Sequence, residues 1–109
     1  MYKIDFSKSF IKEFKILSKK YSSIKYDIDW LMDILEEDWP TWTTLWNNVF
    51  KIRLKNSNNN KGKSAWYRVI TLSFKSEKIV FLSIYSKNDI ESISKEQIIG
   101  LIDLYKNNG

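Results

Sequence analysis

Apolar residues recur along this chain with two different periods. Phe10, Phe14 and Leu17 fall at i, i+4 and i+7, with Lys8, Lys12, Lys15 and Lys19 opposite them. That spacing predicts a helix over about residues 8–20, with Ser7 or Ser9 as its cap. Ile24, Ile28, Leu31 and Leu35 form a second stripe with Met32 beside it, and Asp27, Asp29, Asp33 and Glu36 fill the other side. This predicts a helix from about Ser23 to Glu37, paired with the first as an antiparallel hairpin and ended by Pro40. Beyond Trp46 the period changes to two. Phe50, Ile52 and Leu54 alternate with Lys51, Arg53 and Lys55. Ala65 to Phe74 is a second main strand. Ile79 to Tyr85 is a third, with Val80, Leu82 and Ile84 on one face and Phe81, Ser83 and Tyr85 on the other. Asn56–Gly62 and Ser76–Lys78 are read as turns, so these three strands form an antiparallel meander. Tyr2 to Asp5 is a short first strand. Trp39 to Trp46 is read as a connector whose indoles plug the end of a small core. Ser94 and Gln97 fit a capping box that opens a last helix bearing Ile98, Leu101, Ile102 and Tyr105.

The elements predict an α+β fold, and a length of 109 residues predicts one domain. At 43% hydrophobic and 16% aromatic, the chain can fill a core, which argues against global disorder. No apolar run approaches the ~18 residues of a spanning helix, and Met1–Asp5 has no signal-peptide features. The expectation is a cytoplasmic protein without a membrane partner. The absence of Cys excludes disulfides and thiolate chemistry. The absence of His excludes His-based triads and the commonest metal ligand. No cofactor is expected, and any catalysis falls to Lys, Arg, Tyr, Asp, Glu, Ser or Thr.

Charge is segregated along the sequence. The net charge is +5, but residues 26–50 carry six acids and no base, while residues 51–78 carry eight bases against Glu77. A concentrated basic segment on strands is the footprint expected of a nucleic-acid surface. Lys51, Arg53, Lys63, Arg68 and Lys87 are its candidate core. Arginine suits the task because its planar fork grips phosphate oxygens at two points. Parity puts Arg68 with Ile70 and Leu72 and leaves open whether it faces Arg53. Tyr85 can stack on a base or donate a proton, and it can also be ordinary core. Lys on an exposed strand also guards against aggregation, the plainer account of Lys55 and Lys61. Trp66 is read as a packed aromatic. The acids from Asp27 to Asp38 have no oxygen-ligand spacing and are read as a solvated helix face. Gly62-Lys63-Ser64 ends like a phosphate-binding loop, but that motif needs Gly where Ser57 stands and a helix where a strand follows, so nucleoside triphosphate binding is rejected.

The order Lys51-Ile52-Arg53, Gly62-Lys63-Ser64, Tyr67-Arg68-Val69-Ile70 and Leu82-Ser83-Ile84-Tyr85-Ser86-Lys87, followed by Ile93 to Ile98, resembles the RelE/ParE superfamily of bacterial toxins, its HigB-like branch most closely. Members of that branch show a K-I-R strand, a G-K loop, two glycines before an R-[VI]-I strand, and an I-Y-x-K strand end. The resemblance spans Phe6 to about Leu101. It implies a microbial-RNase-like fold, with a helical hairpin and a short C-terminal helix on a small twisted antiparallel sheet. It implies a ribosome-dependent mRNA endonuclease neutralised by a helix-turn-helix antitoxin. Arg68 matches the strand arginine that stabilises the transition state. Lys87, Tyr85 and Arg53 complete the implied catalytic set. Lys51 and Lys63 are the implied RNA contacts, and Lys55 and Lys61 join them as candidates through the basic segment alone. Ala65-Trp66 stands where the family has two glycines. Without His or a metal-spaced acid set, the RNA would be cut by its own 2′-OH. A ParE-like gyrase inhibitor and an inactive antitoxin-binding homologue are the competing readings.

Overall fold

A computed structural model describes residues 3–35, 42–58, 66–74 and 77–108. The elements run β1 (Lys3–Phe6), α1 (Lys8–Lys20), α2 (Ile24–Ile34), β2 (Trp42–Trp46), β3 (Val49–Leu54), β4 (Tyr67–Phe74), β5 (Lys78–Ser86) and α3 (Lys95–Asn108). Both predicted N-terminal helices form, and their stripes are the buried ones: Phe10, Leu17, Ile24, Ile28, Leu31 and Leu35. Ser7 caps α1 by accepting from the Phe10 amide at 3.0 Å, and its hydroxyl donates to the Leu82 carbonyl at 2.9 Å. One side chain thus starts the helix and fastens it to β5. The predicted capping box of α3 also forms. The Ser94 amide donates to Gln97 Oε1 at 2.8 Å, and the Gln97 amide donates to Ser94 Oγ at 3.1 Å. The predicted end of the second helix, Glu36 to Glu37, lies outside the described residues, as do Trp39 and Pro40. None of the described helices is long and apolar enough to cross a membrane.

The α+β class holds, and β3, β4 and β5 form the predicted antiparallel meander, but the whole sheet differs from the expected small antiparallel one in two ways. It has five strands in the order β1-β5-β4-β3-β2, and β1 runs parallel to β5, so the sheet is mixed. Four residues with no hairpin to a neighbour leave strand direction unspecified in sequence. The second difference is β2. Part of the Trp-rich stretch read as a connector is a strand paired antiparallel with β3. Its Thr43-Thr44 pair favours extended backbone. Asn47 takes the left-handed turn conformation, φ 42°, that closes the hairpin tightly. Trp46 does pack against the core, as its plug role required.

Helices cover both faces of the sheet. On one, α1 and α2 pack over Ile52, Leu54, Tyr67, Val69, Ile79, Phe81 and Ile84. On the other, Ile98 and Tyr105 of α3 pack over Val49, Ile70, Leu72, Val80 and Leu82. Tyr105 also donates to Asp5 at 2.5 Å and so ties α3 to β1. This second face carries the candidate site, toward the Arg68 end of β4.

Candidate functional site

Strand alternation sets the first two cations. Ile52 and Leu54 enter the core beneath α1 and α2, so Lys51 and Arg53 point to the opposite face. On β4, Tyr67 and Val69 take the helix-covered core, which turns Arg68 and Ile70 the same way as Arg53. Register then decides what parity left open. Arg53 pairs directly with Arg68, and Arg68 pairs with Tyr85. The three side chains form one row across β3, β4 and β5.

Tyr85 reaches that row only because β5 carries a bulge. Thr71 pairs with Phe81 and Ile70 with Ser83, so Leu82 has no partner in the ladder. Unbroken alternation would group Tyr85 with Phe81 and Ser83, as the sequence suggested. Instead Val80, Leu82 and Tyr85 share one cluster, while Ile79, Phe81 and Ile84 share the other. The extra residue flips the end of the strand and brings the phenol beside the guanidinium.

Arg68 forms the floor of the patch, with 5% of its surface exposed. Its Nη1 donates at 3.4 Å to the carbonyls of Trp66 and Tyr67. Among the described residues the ion pairs are Lys20–Asp89 and Lys78–Asp5, so no described carboxylate neutralises Arg68, Arg53 or Lys51. The electrostatic consequences follow. Burial first, then Arg53, pushes the Arg68 guanidinium below its usual pKa, with Tyr85 opposing. Burial, then Arg53, Arg68 and Lys87, pushes the Lys51 ammonium down as well. Burial pushes the Tyr85 phenol up, with Arg68 opposing. Lys87 lies exposed just past β5, and its amide donates to the Trp66 carbonyl at 3.3 Å. A half-desolvated group of cations without a described counter-charge is a site for an anion.

No protein-family model and no curated protein matches this chain.

The structure brings together Lys51, Arg53, Arg68, Tyr85 and Lys87. It does not bring Lys55 into the row. That residue is exposed and borders a separate cleft with Tyr26, Trp30 and Ser57. Lys61 and Lys63 lie outside the described residues. The acidic helix face also needs correction at Asp27, which is buried at 5% exposure. Its carboxylate accepts from the Ser57 amide at 3.2 Å, from the Ser57 hydroxyl, and from Ser23 Oγ at 3.3 Å. It holds the chain leaving β3 against α2, a structural task. Trp66, read as a packed aromatic, is half-buried where the chain enters β4.

Proposed function

We propose that this chain is a RelE/ParE-superfamily toxin of HigB-like type that cuts mRNA on the ribosome. The observation that carries the reading is the row Arg53–Arg68–Tyr85, with Lys51 and Lys87 beside it. These are the positions that the resemblance marks, and a bulge that sequence did not reveal is what assembles them. The proposed partners are an mRNA presented by the ribosome and a helix-turn-helix antitoxin. No cofactor enters the scheme.

The chemistry suits the inventory. The 2′-oxygen attacks the adjacent phosphorus, the bond from phosphorus to the 5′-oxygen breaks, and a cyclic phosphate and a 5′-hydroxyl result. Arg68 and Arg53 stabilise the charge that grows on the phosphoryl oxygens. Lys51, whose pKa burial and the neighbouring cations lower, takes the 2′-OH proton through its neutral amine form. Tyr85, whose raised pKa keeps its proton in place, donates to the departing 5′-oxygen. The ribosome supplies the in-line geometry.

The test maps 5′ ends on a reporter mRNA in a purified translation system. Cuts inside codons that need translating ribosomes are the expected result. Arg68→Ala should lower their yield at least about tenfold, since removing one transition-state donor typically costs that much or more. Equal cutting of naked RNA would replace the reading with that of a free ribonuclease. An intact reporter would move the weight to a gyrase-type inhibitor or an inactive antitoxin-binding homologue.

A further inference from the structure

Trp66 is the one aromatic that the pattern of the site leaves unexplained. It immediately precedes β4, and the ladder continues through it, because its carbonyl accepts the Lys87 amide at 3.3 Å. The same carbonyl accepts Arg68 Nη1 at 3.4 Å, so the guanidinium lies back over the Trp66 backbone. Tyr67 is fully buried beneath α1 and α2. Its two neighbours, Trp66 and Arg68, therefore face the opposite way. Trp66 is half-buried, and among the described residues its indole belongs to neither hydrophobic cluster.

We propose that the Trp66 indole is a stacking platform for one nucleobase of a single-stranded RNA, placed one strand repeat from the phosphate-binding Arg68. This rests on the RNA reading above and adds to it the element that contacts a base. Two residues along a strand advance about 6.6 Å. That is a distance over which one nucleotide can reach from its phosphate to its base. An indole offers the largest flat apolar face among side chains, and every base can stack on it. The neighbouring cations Arg68 and Lys87 keep the flanking phosphates near the ring. A strand without a large side chain here would hold the backbone and leave the base free, so Trp66 gives this surface a second handle on its substrate.

The test is an anisotropy titration at low ionic strength with a short 2′-O-methyl oligoribonucleotide, which has no free 2′-OH to cut it. Wild type, Trp66→Ala, Trp66→Phe and Arg68→Ala are compared. Each is titrated again with oligonucleotides carrying a single abasic position, moved along the strand. Trp66→Ala should weaken binding about tenfold, and Trp66→Phe should keep most of the affinity. At one abasic position the wild type should lose a similar factor, and Trp66→Ala should lose nothing more. Binding unchanged by Trp66→Ala overturns the stacking role. So does a loss that simply adds to the abasic loss at every position, which marks a structural effect. If the wild type does not bind, or binds without need of Arg68, the RNA reading itself falls. Binding that needs Arg68 but ignores Trp66 removes the stacking platform alone.

Discussion

Arg53 and Arg68 stand directly opposite each other on adjacent strands, an arrangement that opposes folding. Folded proteins tolerate such a pair where a ligand uses it. Arg53 is exposed, so replacing it leaves no cavity. Arg53→Thr removes the repulsion and substitutes a residue well suited to a strand. The expected outcome is a melting temperature above that of the wild type, together with weaker RNA binding and slower cleavage. Thermal denaturation followed by circular dichroism, beside a cleavage assay, reads both. A variant that loses stability would show that Arg53 serves the fold. At this scale much of the site was legible. Alternation with Ile52 and Leu54 suffices to put Lys51 and Arg53 on one face. The pairing of Arg68 was not legible, because a residue's neighbour across a sheet depends on register, which its own strand does not encode. Asp27 misled for a related reason. Helical periodicity counts it among the polar positions, yet Ser57, thirty residues on, folds over it.

Glu13 links α1 to β5 at the bulge. Its carboxylate accepts from Ser83 Oγ at 3.0 Å and from the Ile84 amide at 3.4 Å. Burial raises its pKa above that of an ordinary glutamate, and the two hydrogen bonds offset part of that rise. A raised carboxyl pKa means that the folded state holds the proton where the unfolded state has released it. The resulting stabilisation is fully present below about pH 4.5 and disappears as pH climbs through the folded value. Glu13→Gln has no such titration and keeps an oxygen to accept from Ser83. The gap in melting temperature between this variant and the wild type should therefore widen in the variant's favour from pH 4 to pH 7. Melting curves at several pH values check this, and a gap that stays constant would remove the carboxyl from the pH response. Elements with strong periodicity or caps, namely α1, α2, α3 and β3, could be read from sequence. The strand β2 could not, because its aromatic and threonine composition fits a connector as readily as a strand. The bulge left no trace either, since Leu82 and Ser83 look like two ordinary steps of alternation.

Across the whole molecule, the sheet works as a partition. The helix carrying exposed Asp29 and Asp33 packs on one face, and the Arg53–Arg68 row opens on the other. Sequence revealed the blocks of opposite charge but not that a sheet would separate them. That needs α2 assigned to one face and α3 to the other, which local pattern does not determine. The separation has a measurable consequence. Each phosphate held by a cation releases counterions, so affinity falls with salt at a slope of about −0.7 per phosphate for single strands. If Arg53, Arg68 and Lys87 each hold one phosphate, the slope is about −2, and binding weakens roughly 20-fold between 50 and 200 mM salt. Arg68→Ala should then lessen the slope by about 0.7. The lysines of α1 provide the control. Lys12 is exposed on the helix packed against the opposite face, so Lys12→Gln should leave the slope unchanged. Were Lys12→Gln to flatten it while Arg68→Ala did not, nucleic acid would be riding on α1, and the cation row would lose its assignment as the phosphate site. Titrations of a labelled single strand at four or five salt concentrations separate the two, because the slope counts ionic contacts independently of how tightly any one variant binds.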